Sequence, residues 1–253
     1  GANVLLGASA TNAAGRRRFI AQSATSEWDM VIVPESAFKV INVSNDVRSA
    51  YVESQLDELR TALESATIER SQKAIMRAIK TTQARLEKLL SAETKDVGLR
   101  FEESGCDYLF MDEAHMYKNR QRLCNIEELS YTDPAKRTED LALKLQVLRE
   151  RRHDEARLRG IPEHAVVERV ATFATGTPIA NSLGELYVMQ TYLRPDLLKS
   201  AGVADLSDWG AAFTATHTST EANSTGTKLR TVTRVGKFTN LPELLALTNA
   251  YTD

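Results

Sequence analysis

Short apolar runs separated by polar connections mark the first 45 residues of the chain. Val4–Leu6 and Met30–Val33 are aliphatic, and the breaker residues Gly7 and Pro34 follow them. Such runs are typical of buried strands in a parallel sheet. The residues from Ala13 to Ala24 predict a helix between them, which gives the strand–helix–strand alternation of an α/β fold.

Residues 46–96 have a different pattern, because they lack Gly and Pro and are rich in strong helix formers. Apolar residues at helical spacing predict two amphipathic helices. The first helix carries most of the acidic residues and the second carries most of the basic ones, which favours an antiparallel hairpin inserted into the α/β body. Two roles remain open for this hairpin, a solvated insertion or a basic arm that grips DNA. The apolar positions are Val47, Tyr51, Leu56, Leu59 and Leu63 in the first helix, and Ile75, Ile79, Leu86 and Leu89 or Leu90 in the second.

The strand pattern resumes after residue 97. Tyr108–Met111 and Val166–Ala174 predict two further buried strands. A helix is expected from Thr138, whose side chain can cap it, to Gly160, and another over Ser182–Leu193. These elements predict one parallel sheet with helices on both faces, built from residues 1–45 and 97–200.

The last part of the chain, residues 201–253, predicts an accessory hairpin and helix. Thr214–Gly226 is rich in Thr, Ser and Asn, which indicates an exposed hairpin or loop. Asn240 and Glu243 have the spacing of a capping box and predict a final short helix.

Charge and composition narrow the class of protein. The chain has 32 basic and 34 acidic residues, which excludes a polybasic protein but not a local basic patch. No apolar run approaches the roughly 18 residues that span a bilayer. Cys106 and Cys124 form no disulfide framework, so a reducing, cytoplasmic compartment is expected. The chain starts without Met and stops after a helical pattern, and we interpret it as part of a longer protein.

An acidic pair carries the clearest candidate chemistry. Asp112 and Glu113 follow the Tyr108–Met111 strand, where parallel sheets place their ligands. In a nucleotide hydrolase, one carboxylate holds Mg²⁺ and a second orients or deprotonates the attacking water. We expect Asp112 in the first role and Glu113 in the second, with both near the metal.

A second polar segment follows the next predicted strand. Thr175, Gly176 and Thr177 lie between that strand and a helix, so Gly176 allows close backbone approach and the hydroxyl groups can reach the carboxylates. We therefore expect Asp112 and Thr175–Thr177 to lie together at the carboxyl edge of the sheet.

These two segments resemble motifs two and three of superfamily-two helicases of the DEAH-box type. The Lys-Asn pair after the acidic box and the Thr-Gly-Thr-Pro-Ile box resemble the Swi/Snf-like branch. The stretches Trp28–Phe38 and Tyr187–Leu198 and the helical insertion resemble the helicase lobe of phage- and plasmid-encoded helicase–methylase proteins. The residues that carry the resemblance are Asp112-Glu113-Ala114-His115, Lys118-Asn119, Thr175-Gly176-Thr177-Pro178-Ile179, Asn181, Glu185 and Leu186.

The resemblance implies a RecA-like motor lobe that uses ATP and Mg²⁺ and contacts the DNA backbone. It implies a catalytic role for His115 beside Asp112 and Glu113. It also implies that hydrolysis is coupled to DNA movement by four residues, namely His115, Thr175, Gly176 and Thr177. Nucleic-acid contacts are implied for Arg16, Arg17, Arg18, Lys118 and Asn119. A second arginine cluster is expected to be a charged helix surface and comprises Arg149, Arg151, Arg152, Arg157 and Arg159.

One part of the family pattern is missing, because no GxxxxGK[ST] phosphate loop occurs in the sequence. We expect that loop and the second motor lobe in the rest of the parent polypeptide, so that the chain alone hydrolyses almost no ATP. Two other functions stay open. The lobe could be catalytically inactive and serve as a DNA- or protein-docking module, or the helical hairpin could be the functional element.

Overall fold

The computed structural model describes residues 1–7, 12–39, 41–65, 69–91, 100–122, 124, 126–131, 135–222 and 229–252. The fold is mixed α/β. Its strands are β1 (Val4–Leu6), β2 (Met30–Ile32), β3 (Leu109–Met111), β4 (Ala171–Phe173), β5 (Thr214–Ala222) and β6 (Leu229–Phe238). Its helices are α1 (Ala13–Thr25), α2 (Glu35–Phe38), α3 (Asn45–Ser65), α4 (Glu69–Ser91), α5 (Lys136–Leu158), α6 (Leu183–Leu193), α7 (Pro195–Ser200), α8 (Leu206–Phe213) and α9 (Leu241–Asn249).

The strands in residues 1–45 and 97–200 pair in parallel, as expected, but they do not form one sheet. In the described residues β1 pairs with β2 and β3 pairs with β4, as two separate two-stranded sheets. The prediction of a single continuous sheet is therefore wrong for this part of the chain. Each strand is only three residues long, and β2 stops before Pro34, which has no N–H to continue a ladder. Both pairs still pack on one core, which Leu5, Val33, Leu109 and Phe173 contact.

These strands are also less buried than their apolar sequence predicts. Leu6 and Ile32 are 63% and 49% exposed, and Phe110 on β3 is 75% exposed. Leu5 of β1 and residues of β3 and β4 pack against the core, whereas all three residues of β2 are exposed. The expectation of strands buried on both faces is therefore wrong for the described structure. β4 (Ala171–Phe173) is shorter than the predicted Val166–Ala174, because residues 166–170 do not pair as a strand.

The helical hairpin has the predicted pairing. Helices α3 and α4 are separated by three residues and pack side by side, so they run antiparallel. Tyr51 and Ile75 from the predicted apolar stripes are buried. The hairpin is fixed to the body because Arg85 of α4 pairs with Glu139 of α5 at 2.6 Å.

Helix α5 is the central element of the core, with Leu141, Leu145 and Leu148 buried along its length. It begins two residues earlier than predicted. Thr138 lies inside the first turn, where its hydroxyl donates to the carbonyl of Ala135 at 2.7 Å, so Thr138 is not the N-cap. The predicted stop is confirmed, since Gly160 has a φ of 71° just after the helix.

Lys144 lies in the interior of this core, with its side chain fully buried. Its Nζ donates to the carbonyl of Phe38 at 2.6 Å and to Oδ2 of Asp140 at 2.7 Å. The ammonium group also lies 4.0 Å from the centre of the Phe38 ring. Burial lowers the pKa of Lys144, and Asp140 partly opposes that shift.

The arginines of α5 are not a solvated surface, which corrects the expectation for three of them. Arg149 donates to the carbonyl of Tyr192 at 2.5 Å, and Arg151 donates to the carbonyl of Glu102 at 2.7 Å. Arg152 donates to the carbonyl of Arg169. These side chains tie α5 to backbone carbonyls of other segments. Arg157 and Arg159 are exposed, as expected.

The C-terminal part packs around a second apolar cluster centred on Trp209 of α8. Strands β5 and β6 form an antiparallel hairpin, whose second strand lies beyond the Thr214–Gly226 stretch predicted as an exposed hairpin or loop; residues 223–226 of that stretch lie outside the described residues. Asn240 does not cap α9 through its side chain, because it has a φ of 48° and its Nδ2 donates to the carbonyl of Ala212. No helix in the described ranges is long and apolar enough to cross a bilayer.

Candidate functional site

The two polar segments meet at the carboxyl ends of β3 and β4. Met111 is paired with Phe173 in the parallel register. Beyond the strands, Ala174 N–H donates to the carbonyl of Met111 at 2.8 Å, and Ala114 N–H donates to the carbonyl of Ala174 at 3.0 Å. We call residues 112–120 the acidic loop and residues 174–177 the Thr175 loop. These hydrogen bonds place the two loops side by side.

The acidic loop has a strained backbone at Glu113. Glu113 has φ 51° and ψ 41°, which is left-handed and costs a non-glycine residue about 1–3 kcal/mol. Its N–H donates to Oδ1 of Asp112 at 2.9 Å, and the next N–H is bonded to Ala174. Both carboxylates are exposed at the sheet edge. The turn therefore directs two acidic side chains to solvent at one point.

His115 contacts the second carboxylate of the loop. Its Nδ1 lies 3.1 Å from Oε2 of Glu113, and both side chains are accessible to solvent. An imidazole with its proton on Nδ1 donates to that oxygen and restricts the Glu113 rotamer. The structure thus brings Asp112, Glu113 and His115 together.

A buried ion pair joins the acidic loop to the helix after the Thr175 loop. Lys118 Nζ lies 3.2 Å from Oε2 of Glu185, and the two side chains are 8% and 1% exposed. The same ammonium donates to the carbonyl of Thr177 at 3.4 Å. Lys118 is therefore buried against the second loop, which corrects the expectation that it contacts nucleic acid.

Glu185 organises the segment between Thr177 and α6. Its Oε2 accepts the N–H of Ala180 at 2.6 Å and the N–H of Asn181 at 3.2 Å. Burial pushes the pKa of Glu185 up, but these bonds and Lys118 outweigh it, so the pKa is lowered and the group stays ionised. Inside the Thr175 loop, Thr177 N–H donates to Oγ1 of Thr175 at 3.1 Å.

The start of α6 is also held by the segment that follows the acidic loop. Arg122 is buried and its Nε donates to the carbonyl of Leu129 at 2.7 Å. A Cβ built on Gly184 would lie 2.4 Å from that Nε, so only glycine fits at this position. Ser182 caps α6 by accepting the N–H of Gly184. The segment after the acidic loop therefore packs directly against the start of α6, the helix that follows the Thr175 loop.

Other predicted site residues are less closely tied to these loops. Arg17 and Arg18 are exposed on α1, and Arg16 is half-buried. Asn119 is half-buried beside Lys118. Gly176 is open to solvent, with nothing near the place of a Cβ. The nucleic-acid role of the arginines and Asn119 stays a prediction.

Asp112 and Glu113 are the exposed acidic side chains at this edge that could ligate a Mg²⁺ ion. Within the described residues no group of three His, Cys, Asp or Glu side chains could hold a metal ion. Mg²⁺ in nucleotide sites uses one or two carboxylates, with phosphate oxygens and water as the other ligands. Oδ1 of Asp112 accepts a peptide N–H, and the exposed carboxylate has a second oxygen that does not take part in that bond.

The strand ends and their two joined loops define a mixed α/β domain with an acidic site at its sheet edge. A family model described as a probable helicase domain matches residues 2–253, and the chain belongs to this family. No curated protein and no solved structure matches the chain significantly.

Sequence reasoning did not assign a role to Glu185 or to Arg120. Arg120 Nη2 donates to the hydroxyl of Tyr51 at 2.8 Å and so connects the acidic loop to α3 of the hairpin. Glu185 lies three residues after Ser182, at the N3 position where an acid commonly contacts backbone N–H groups. That spacing is a signal for its role, whereas no local pattern marks the Arg120 contact.

Proposed function

We propose that the chain is part of the first, RecA-like motor lobe of an ATP-dependent DNA helicase or translocase of the DEAH-box, Swi/Snf-like type. One observation carries the proposal most strongly. Asp112-Glu113 and Thr175-Gly176-Thr177 follow adjacent parallel strands, and the hydrogen bond from Ala114 to Ala174 joins their loops. Membership of the helicase family supports the same function.

In this proposal Asp112 holds Mg²⁺ through the oxygen that is free of the backbone bond. A bound Mg²⁺ would neutralise phosphate charge and hold the nucleotide in line for hydrolysis. Glu113 orients a water molecule and accepts its proton, which is general-base catalysis. The contact with His115 holds the carboxylate of Glu113 in place.

Coupling between hydrolysis and DNA movement is assigned to the connection of the two loops. A change at Glu113 reaches Thr175 through the bond between Ala114 and Ala174, and it reaches the segment after Thr177 through Lys118. DNA contacts are proposed for Arg16–Arg18 of α1. ATP binding requires a phosphate loop supplied by another part of the parent polypeptide.

The proposal is tested by Glu113→Gln in the polypeptide that supplies the phosphate loop. The amide keeps the shape of the side chain but removes the charge that accepts the proton. DNA-stimulated ATP hydrolysis should fall by roughly 10²–10⁴-fold, while ATP binding is retained. Asp112→Asn should also weaken the Mg²⁺-dependent part of nucleotide binding.

The control is Glu163→Gln, an exposed carboxylate outside both loops, which should leave turnover unchanged. Near-normal turnover in Glu113→Gln would contradict the catalytic role. It would instead favour the alternative, an inactive helicase-like lobe that docks DNA or protein.

A further inference from the structure

The β5–β6 hairpin differs in charge from the chain as a whole. Residues 214–239 include four Lys or Arg residues and one acidic residue, whereas the whole chain has a net charge of −2. Nine threonines in this segment add hydroxyl groups. Basic and hydroxyl side chains are the groups that contact phosphate oxygens in nucleic-acid complexes. By sequence the hairpin segment is therefore more basic than the chain as a whole, and Arg234 and Lys237 of it are exposed.

A cleft of about 390 Å³ lies between this hairpin and the segment that follows the Thr175 loop. Residues 179–183 form one wall and residues 235–238 form the other. Ile179 and Phe238 line the cleft and are 41% and 43% exposed. Lys237 is exposed at the same place. The cleft is thus lined by an aromatic residue, an aliphatic residue and a lysine, together with one acidic residue, Glu128.

Glu128 holds the two walls together. Its Oε2 accepts the N–H of Val235 at 2.6 Å, and its main-chain carbonyl accepts the hydroxyl of Ser182 at 2.9 Å. The carboxylate that lines the cleft is therefore directed to a peptide N–H. Because Ser182 caps α6, the hairpin is tied to the helix that carries Glu185.

We propose that this cleft binds single-stranded DNA, with a base against Phe238 and a phosphate close to Lys237. Exposed aromatic side chains stack on unpaired bases with little sequence preference, and basic groups beside them follow the backbone. In a duplex the faces of each base are covered by its neighbours, so Phe238 would have no base to contact. The choice of DNA over RNA rests on the proposed function, whereas the stacking site does not.

The test is direct binding of a fluorescein-labelled oligothymidylate of about 15 nucleotides, a length that covers one such site. Fluorescence anisotropy is measured on the 253-residue chain at low salt without nucleotide. Phe238→Ala should weaken binding by roughly 5- to 100-fold, the range of base–aromatic stacking. Phe238→Tyr keeps an aromatic face and should bind normally, and Phe238→Leu should not.

Lys237→Gln should weaken binding and reduce the slope of log affinity against log salt by about 0.7, the value for one contact with a single strand. Lys136→Gln is the matched control, because Lys136 is exposed at the start of α5, outside the cleft. Thermal unfolding of each variant checks that the fold is retained.

Unchanged affinity in both Phe238→Ala and Lys237→Gln would overturn the proposal, as would the absence of binding by the unaltered chain. Tighter binding of a duplex of the same length would show that bases are not stacked here, and tighter binding of oligouridylate would exclude DNA as the ligand. Because no ATP is hydrolysed in this assay, its outcome is independent of the Glu113→Gln result.

Discussion

Two buried lysine–carboxylate pairs are built in opposite ways in the core and at the site. In the core the lysine is the more buried partner, since Lys144 is 0% exposed and Asp140 is 20% exposed. At the site the carboxylate is the more buried partner, with Glu185 at 1% and Lys118 at 8%. In each pair the more buried ion contacts additional groups, a carbonyl and aromatic rings for Lys144 and peptide N–H groups for Glu185.

The two pairs therefore differ in what they do: the Lys144 pair stabilises the core, and the Glu185 pair positions the two loops of the site. Lys144 joins α5 to the end of α2 by donating to the carbonyl of Phe38, which fixes one core contact. Glu185 receives its hydrogen bonds from the segment that follows the Thr175 loop, and its ion pair reaches the acidic loop. Loss of the first pair should therefore strongly destabilise the whole domain, whereas loss of the second should mainly loosen the two loops.

The largest effect on stability is expected for Asp140→Ala. The change leaves the Lys144 ammonium buried without its counter-ion, and removing one partner of a buried pair costs about 3–5 kcal/mol. Urea unfolding of the 253-residue chain measures this loss. The double variant Asp140→Leu with Lys144→Met should recover most of it, because neither charge then remains. A loss below about 1 kcal/mol, the level of a surface pair, would mean that the carbonyl and rings alone stabilise Lys144.

A smaller effect is expected for Lys118→Met. Glu185 keeps the N–H groups of Ala180 and Asn181, so its charge is still compensated in part. The loss of one charge-assisted hydrogen bond predicts about 1–3 kcal/mol. For the proposed motor function, assayed together with a phosphate loop, ATP turnover should fall more than ATP affinity, because the loops are less well positioned.

Lys136→Met, at an exposed lysine of α5, controls for the loss of a positive charge. If Lys118→Met lowered the free energy of unfolding as much as Asp140→Ala, the two pairs would contribute equally to stability, and the proposed difference between them would be wrong.

Local patterns in the sequence predicted much of this fold. The α3–α4 hairpin, the stop at Gly160 and the parallel pairing of β3 with β4 follow from periodicity and turn residues. The continuous sheet was wrong, because hydrogen bonding between distant three-residue strands leaves no local signal. The sequence also predicted solvent-facing positions for Lys118 and Arg149, because no local pattern marks their partners. Their partners are carbonyls and a carboxylate far along the chain, and only the folded structure brings these groups together.

The smallest effect is expected in the response of the two carboxylates to acid. Burial alone would raise the pKa of Glu185, but hydrogen bonds and Lys118 overcome that effect and hold the pKa below the usual value of a glutamate. The unfolded chain therefore takes up this proton first, so the stability that Glu185 contributes is present above that usual value and is lost as pH falls through the folded pKa. Burial raises the pKa of Asp140 despite Lys144, so its contribution changes in the opposite direction, and stability increases as pH falls through that pKa.

Urea unfolding of the unaltered chain, Glu185→Gln and Asp140→Asn at several pH values between about 3 and 7, the range in which carboxylates titrate, separates the two contributions. The stability difference between the unaltered chain and Glu185→Gln should shrink in acid, because the protonated Glu185 has lost the charge that the amide also lacks. The difference between the unaltered chain and Asp140→Asn should instead move in favour of the unaltered chain. The free-energy difference from the unaltered chain should therefore change with pH in opposite directions for the two variants. If it changed equally, the carboxylate held by peptide N–H groups and the carboxylate beside the buried lysine would respond to acid in the same way, which would contradict the comparison.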